Sequence, residues 1–469
     1  MGISYLMFDL EKIFGLIKNN WLVRLIWLKA PDYLKPGHKA YTKFRELIKK
    51  HEHVSKNKIK EFQLIRLKQI VNYAWENIEG YRELWASGGF SPKKLKSLED
   101  IRLIPFVTKE LIRDNLSKFS NNKIKKRIYS TTGGSTGIPF GFYLEPRNIS
   151  IETAFIHDLW SRQTPSISRS TRSVILRGDK TGQNVYRYSA KSLILSSYDI
   201  NLINVKKYLG LIEKFRAPIF QAYPSAIFFM AKIMKEHSLV LKHRFVSIML
   251  GSEPLCDFQR KLINETFGTK ISHWYGATEL VVLAGNCEVD SRFHVYPQYG
   301  ITEVVDGDGN CVKEKQIGEI VGTSFWNMAT PFIRYKTKDY AELGPEVCEK
   351  CKRAYQLLNK IDGRLQEFIV GKNHQLVSMT AVNMHDDIFD DLELFRFYQD
   401  VIGKVTFNYI KKASKMKVNE EKIYKGIKLK LGEEFDLDLK EVEIIEKTKN
   451  GKLRFLDQKL DINNFICFA

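Results

Sequence analysis

Apolar residues recur at every third or fourth position between about residues 40 and 120, and this spacing predicts helices over 41–51, 59–78 and 98–119. A short strand at 127–130 then runs into Thr131-Thr132-Gly133-Gly134-Ser135-Thr136-Gly137-Ile138-Pro139, where the periodicity stops. Beyond this loop, brief apolar runs at 173–176, 219–222 and 247–250 read as strands, and 225–236 and 257–267 read as helices. Short strands separated by helices predict a mainly parallel sheet covered by helices. Between 293 and 333 the texture changes to β-hairpins, with Asp306-Gly307-Asp308-Gly309-Asn310 as a turn. A composition shift at Gly363-Arg364 opens a last segment with strands expected at 405–410 and 442–446. The expected fold class is therefore α/β. A large N-terminal domain over 1–362 would carry helix-covered, mainly parallel sheets and a β-rich subdomain, and a small, mobile α+β C-terminal domain would occupy 363–469.

Composition narrows the function. A chain of 469 residues is too long for a single small binding module, and 44% hydrophobic with 27% charged residues excludes wholesale disorder. The 74 basic residues against 54 acidic ones give a net charge of +20, which favours anionic partners without choosing among nucleotides, acidic lipid and nucleic acid. The positive charge is dispersed and no nucleic-acid-binding motif appears, so a basic nucleic-acid-binding protein is the less favoured class and no nucleic-acid partner is expected. Six cysteines are too few for a secreted disulfide framework. Within residues 1–28, Asp9, Glu11, Lys12, Lys18 and Arg24 interrupt every apolar run that could span a membrane, and the two acids fall where the core of a secretory signal would lie. A cytoplasmic location is the expectation. The stripe Leu22, Val23, Leu25, Ile26, Trp27 and Leu28 around Arg24 reads first as a helix packed on its own domain. Its alternative is a peripheral contact with the inner face of the membrane.

The glycine-rich loop carries the first chemistry. Glycines let backbone approach a ligand, and hydroxyls with exposed N–H groups suit phosphate oxygens. No Gly-Lys-Ser/Thr follows, so it is not a Walker loop, and alone it is only a turn signal. Three later segments change its meaning: Gly251-Ser252-Glu253-Pro254 after a buried strand, His273-Trp274-Tyr275-Gly276-Ala277-Thr278-Glu279 after another, and Pro331-Phe332-Ile333-Arg334-Tyr335-Lys336-Thr337-Lys338-Asp339 at the end of the hairpin region. In this order the four segments resemble the adenylate-forming superfamily of acyl-CoA synthetases, adenylation domains and luciferases. Within it the chain is most similar to the branch of phenylacetate–CoA ligases and CapK-like capsule-biosynthesis proteins. Gln221-Ala222-Tyr223-Pro224-Ser225 and the tail Glu446-Lys447-Thr448-Lys449-Asn450-Gly451-Lys452-Leu453-Arg454-Phe455 are the most CapK-like stretches.

The resemblance implies roles residue by residue. Thr131, Thr132, Gly133, Gly134, Ser135, Thr136 and Gly137 match the loop that holds the β- and γ-phosphates of ATP. Gly251, Ser252 and Glu253 match the stretch along adenine, and Tyr275, followed by Gly276, matches the aromatic residue stacked on the base. Thr278 matches a hydroxyl near the α-phosphate, Glu279 the Mg²⁺-directed carboxylate, and Asp339 the carboxylate that accepts the ribose hydroxyls. Arg364 matches an arginine near ribose, and Lys452 the late lysine that bridges substrate carboxylate and phosphate. Two positions depart from the pattern. Phe140 stands where a lysine often follows the phosphate loop, and Lys338 replaces the usual glycine before the ribose aspartate. A pivot within 363–367, at Gln366, would let the small domain close for adenylation and adopt a second pose for transfer.

Cys348 and Cys351 form a Cys-x-x-Cys, and Cys287 and His294 flank a turn at Asp290-Ser291. Together they make a ligand set for one tetrahedral, structural Zn²⁺ with no open position. Surface thiols are the alternative, and no thioredoxin-like context supports a redox pair. The expected activity is ATP-dependent conversion of a carboxylic or amino acid to acyl-AMP, followed by transfer. The acceptor would be an amino sugar in surface-polysaccharide (capsule or O-antigen) biosynthesis, or alternatively coenzyme A, with ATP, Mg²⁺ and Zn²⁺ as cofactors.

Overall fold

Helices form where the chain can bury one face. His38–Lys50 buries Tyr41, Phe44 and Ile48, and Lys56–Asn77 buries Leu67, Ile70, Val71 and Ala74, as the spacing predicts. The continuous helix expected over 98–119 does not form. A 3-10 turn at Glu99–Leu103 and a six-residue helix at Lys109–Asp114 stand in its place. Pro105 has no amide hydrogen and disfavours helical geometry in the residue before it. Thr108 Oγ1 then accepts from Leu111 N at 3.2 Å and starts a new helix.

The computed structural model describes residues 29–132, 140–164, 167–177, 185–189, 191–197, 200–364, 368–374, 376–378, 391–446, 454–462 and 464–465. Outside them lie the N-terminal stripe within 1–28, residues 133–139 of the glycine-rich loop, the expected pivot Gln366, and Lys452. The chain divides into two compact units.

The first unit takes residues up to 172, 188–192 and 272–361. Strands β1 (Ile128–Thr132) and β2 (Phe140–Leu144) pair antiparallel with Thr132 opposite Phe140, so residues 133–139 connect the arms of a hairpin. The unit's other strands are β8 (Ile271–Gly276), β9 (Leu283–Asn286), β10 (Phe293–Val295), β11 (Gly300–Val305), β12 (Ile317–Ser324), β13 (Tyr335–Leu343) and β14 (Leu357–Arg364), in the order β11-β12-β13-β14-β10-β9-β8. The registers of β8 with β9, β9 with β10, β10 with β14, β11 with β12 and β12 with β13 are antiparallel, which is the hairpin texture expected here. In the turn after β11, Asp306 Oδ1 accepts from Asp308 N and Asn310 N at 3.0 and 2.9 Å, and Gly309 takes φ +84°. Helix Pro146–Ser161 is buried on nearly every side.

The second unit takes 173–187, 193–271 and 362–469. Its strands β3 (Ser173–Arg177), β4 (Tyr186–Tyr188), β5 (Ser192–Ser196), β6 (Ile219–Ala222) and β7 (Ser247–Gly251) are ordered β7-β6-β3-β5-β4. The β3–β6 and β6–β7 pairs are parallel. Every residue of β3 and β7 is buried, as strands covered on both faces require. Helices Leu202–Phe215, Pro224–Glu236 and Asp257–Phe267 follow β5, β6 and β7. The parallel arrangement expected from the sequence is thus found in this unit, and five strand pairs of the first unit are antiparallel.

The C-terminal segment adds β15 (Phe368–Val370), paired with β16 (Leu376–Ser378), and a four-stranded sheet. That sheet has β17 (Leu392–Val401), β18 (Lys404–Lys411), β19 (Asp436–Glu441) and β20 (Leu456–Gln458) in the order β19-β18-β17-β20, with helix Glu420–Leu431. Phe395, Phe397, Phe407, Ile423 and Ile427 form its core. The strand expected at 442–446 is corrected to β19. Adjacent Ile444 and Ile445 cannot share one face of a strand, and Ile444 is exposed, whereas Leu437 and Leu439 alternate toward the core. Among the described residues, no helix is long and apolar enough to cross a membrane.

Candidate active site

Two carboxylates of the first unit are each held by a tyrosine hydroxyl. Tyr275, near the end of β8, donates to Asp339 Oδ2 at 2.7 Å. Tyr335, at the start of β13, donates to Glu279 Oε1 at 2.9 Å. Burial and the neighbouring carboxylate push both phenols well above their usual range, so each remains a protonated donor. Glu279 and Asp339 are partly exposed and Thr278 is buried. The four residues come from two segments that the sequence separates by more than fifty positions, and β8 and β13 are not neighbours in the sheet.

Asp339 sits on a bulge. The β12–β13 register runs from Glu319 opposite Tyr340 to Val321 opposite Lys336, which leaves Thr337, Lys338 and Asp339 facing a single residue of β12. Bulges re-aim side chains beside functional sites. Thr337 Oγ1 donates to Ile320 O at 2.7 Å and accepts from Asp339 N at 3.1 Å, which fixes the bulge. Lys338, in place of the usual glycine, nevertheless adopts φ +62°. Its amide donates to Glu319 Oε1, and its exposed ammonium meets Glu110 at 2.9 Å. The departure therefore preserves the turn.

Left-handed backbone recurs around these motifs. Leu280, directly after Glu279, has φ +57°, and Arg334, directly before Tyr335, has φ +53°. Such conformations persist where surrounding contacts over-determine them. Arg334 shows how: its buried guanidinium bonds both oxygens of Glu303 and the carbonyls of Arg102 and Ile104, with the Phe106 ring 4.0 Å away. The sequence sets Arg334 and Tyr335 within the motif without marking a role for either. Their neighbourhood is set by chain crossings that one sequence does not display.

Phe140 is fully buried rather than solvent-facing. Its ring lies nearly parallel to Tyr335, with 6.5 Å between centroids and 10° between planes, and packs edge-on against Phe332. A lysine would have no place in this aromatic cluster, so the departure at Phe140 is a packing choice. Thr131 is exposed at the end of β1, and of Thr132 and Arg364 only the backbone strand is described.

In the second unit, Gly251 ends β7 buried, and Ser252 follows exposed with φ +69°. Glu253 Oε2 accepts from Ser225 N at 2.9 Å, in the first turn of helix Pro224–Glu236, where a carboxylate satisfies an orphan amide and suits the helix dipole. Glu253 thus has a structural task within the motif.

The thiol–imidazole cluster assembles as the spacing expects. The ligand atoms of Cys287, His294, Cys348 and Cys351 lie within 4.8 Å of one another. Tetrahedral zinc with sulfur ligands needs separations of about 3.8 Å. The His294 Nδ1 atom lies 3.2 Å from Arg292 O, which leaves Nε2 toward Cys351 Sγ at 3.4 Å. Burial, aided by Arg162, pulls His294 down to about 4, so the ring is neutral at pH 7, the form a metal binds. Amides of Val289 and Asp290 donate to Cys287 Sγ, and that of Cys351 to Cys348 Sγ. Burial pushes the Cys287 thiol up to about 11. Three thiols and a neutral imidazole fit a soft tetrahedral cation.

No family model matches the chain. It is 25% identical to Protein CapK of Staphylococcus aureus over 445 residues, covering 92% of this chain and 95% of that one. It is 25% identical to a phenylacetate-coenzyme A ligase of Thermus thermophilus over 339 residues, covering 68% and 73%. Its fold matches a crystal structure of 2-hydroxyisobutyryl-CoA ligase in complex with 2-HIB-AMP, with TM-score 0.71 at 16% identity, over 88% of this chain and 92% of that one. The chain is similar in sequence and in fold to adenylate-forming ligases. The relatives it matches include CapK and phenylacetate–CoA ligases, and the mixed α/β architecture with its C-terminal α+β segment matches the fold of an adenylate-forming CoA ligase.

Proposed function

We propose that this ligase activates a carboxylic or amino acid with ATP and passes the acyl group on for surface-polysaccharide synthesis. The observation that carries the reading is the pair of tyrosine-held carboxylates, Asp339 with Tyr275 and Glu279 with Tyr335, in the positions the superfamily pattern assigns to ribose and metal. A substrate carboxylate oxygen bonds to the α-phosphorus, the bond to the bridging oxygen breaks, and pyrophosphate leaves. Mg²⁺, when bound, offsets the negative charge that grows on the phosphate oxygens. Glu279 and Thr278 hold that end of the site. Asp339 accepts the ribose hydroxyls, the Tyr275 ring lies against adenine, and the hydroxyls and amides within 131–137 cradle the outer phosphates. Lys452 bridges carboxylate and phosphate during adenylation, and a pivot at Gln366 exchanges this pose for one that serves transfer.

An amino sugar is the first acceptor, because the relative matched over nearly its whole length is CapK. Coenzyme A is the second reading, because the other relatives are named phenylacetate-coenzyme A ligases. The Cys287, His294, Cys348 and Cys351 cluster holds one structural Zn²⁺ in either case. The test is acid-dependent pyrophosphate release across a panel of carboxylic and amino acids, with coenzyme A or amino sugars added in parallel. Acyl transfer to one acceptor class decides between the two readings. A folded protein that neither binds ATP–Mg²⁺ nor releases pyrophosphate with any acid refutes both.

A further inference from the structure

We infer that Tyr335 is the positioning residue for Glu279 and that Phe140 ties its placement to the base of the phosphate loop. The inference rests on the ATP–Mg²⁺ reading above. A glutamate carboxylate ends a chain of rotatable bonds, and one that must meet a metal has to be held at a single rotation. The 2.9 Å bond from Tyr335 to Oε1 does this for Glu279. A phenol orients the group without cancelling its charge, whereas a lysine or arginine in the same place would compete with the cation for it.

Tyr335 itself has little freedom. It is 2% exposed, with Phe332 edge-on at 5.0 Å and Phe140 stacked at 6.5 Å. Its backbone is clamped as well, since Val107 N donates to Arg334 O and Lys336 N donates to Val107 O, at 3.1 and 3.0 Å. Phe140 is the first described residue after the phosphate loop and pairs with Thr132, the last one before it. The ring that sets the height of Tyr335 is therefore anchored where the two arms of the loop meet, and a shift of the loop base is passed to Glu279 through two rings and one hydrogen bond.

The experiment measures Mn²⁺ binding by electron paramagnetic resonance on the full-length protein with α,β-methylene-ATP, alongside binding of the analogue without metal. The variants are Tyr335→Phe, Glu279→Gln, their double, and Phe140→Leu. Tyr335→Phe keeps the ring and its packing and deletes only the donor. It is expected to weaken Mn²⁺ in the ternary complex about tenfold, the loss typical of a hydrogen bond to a charged group, while metal-free nucleotide binding is unchanged. Added to Glu279→Gln it has almost no further effect, and Phe140→Leu gives a smaller loss of the same kind. Unchanged Mn²⁺ binding in Tyr335→Phe overturns the inference, as does an equal loss in the Glu279→Gln background. A wild-type protein that binds neither analogue nor Mn²⁺ overturns the ATP–Mg²⁺ reading, and the inference with it.

Discussion

The carboxylate pair and the thiol–imidazole cluster are both made by joining two distant stretches of the first unit, yet they are held in opposite ways. At Glu279 and Asp339 the polypeptide supplies orienting contacts that include two tyrosine hydroxyls, a bulge fixed by Thr337, and aromatic packing behind Tyr335. At Cys287, His294, Cys348 and Cys351 the four ligand atoms converge within 4.8 Å; the backbone pairing of β10 with β14 joins the stretches, and the direct contacts of the cluster include a 3.4 Å approach of Cys351 to His294 and a 3.7 Å thiol contact from Cys348 to Asp290. The ion-pair ring of Arg353 with Glu52 and Glu288 helps to draw the segments together. If the two serve the roles proposed, the carboxylates that receive a transient ligand are oriented by protein contacts, and the cluster around a resident ion depends on that ion for its geometry.

Removing zinc is the largest test of this contrast. One zinc per chain is expected in protein purified without chelator, and Cys348→Ser should abolish it. In small zinc modules the metal is worth roughly 10–16 kcal/mol of apparent folding free energy, and a chain with large cores should lose less, though still several kcal/mol on the same scale. The readout is the melting temperature with and without chelator, beside metal analysis. Glu279→Ala should leave both unchanged. Zinc-free native protein of full stability would erase the distinction between the two regions.

A second test uses a buried acid in the helix that packs behind the carboxylate region. Glu152 is fully buried, with Tyr299 as its hydrogen-bond donor, and burial pushes it up to about 8. A water-sized cavity of about 10 Å³ lies beside it, lined by Asn148, Ile151, Leu280, Tyr299, Ser324 and Trp326. Below pH 4.5 the group is neutral in folded and unfolded chains alike. As pH rises to 8 only the unfolded chain ionises, so stability falls, by on the order of 5 kcal/mol for this group in total, and then levels off. Glu152→Gln should remove this slope from denaturation midpoints measured between pH 5 and 8. A slope unchanged in the variant would place the titration elsewhere.

Activity supplies the third. Glu279→Ala should cut acid-dependent pyrophosphate release about a hundred- to thousandfold, some 3–4 kcal/mol of transition-state stabilisation, with fold and zinc intact. Lys452→Ala should do the same for adenylation and spare transfer from a pre-made acyl adenylate, whereas Gln366→Pro should hurt transfer more. Equal slowing of both half-reactions by Lys452→Ala would end the two-pose scheme.

The sequence disclosed what repeats or what chemistry fixes locally. Strand 219–222 and helix 257–267 fall where their apolar patterns put them, because the strand is a short apolar run buried between two neighbours and the helix sets a buried stripe against exposed positions. Helix Pro146–Ser161 was illegible because polar Asn148, Ser150, Glu152 and His157 are buried together with its apolar residues, so no apolar–polar period marks it. The motif letters named Glu279, Asp339 and the thiol–imidazole cluster. They did not show that Tyr335 and Tyr275 hold the carboxylates, since those contacts depend on which strands cross, and a tyrosine in a strand reads as ordinary core.

The smallest test concerns Lys338, where the family pattern has glycine and this chain keeps the glycine's backbone at φ +62°. A residue with a Cβ pays about 1–2 kcal/mol in the left-handed region, against roughly 0.5–1 kcal/mol that glycine loses through its freer unfolded chain. The exposed bond to Glu110 contributes little, as surface pairs do. Lys338→Ala should therefore be close to neutral, because it keeps the strain and gives up only the weak ion pair, and Lys338→Gly should be mildly stabilising, because it removes the strain. Glycine should exceed alanine by about 1 kcal/mol in urea denaturation, the reverse of their order at an ordinary strand position. Alanine equal to or above glycine would mean that residue 338 is not left-handed, and Asp339 would then owe its direction to something other than the bulge.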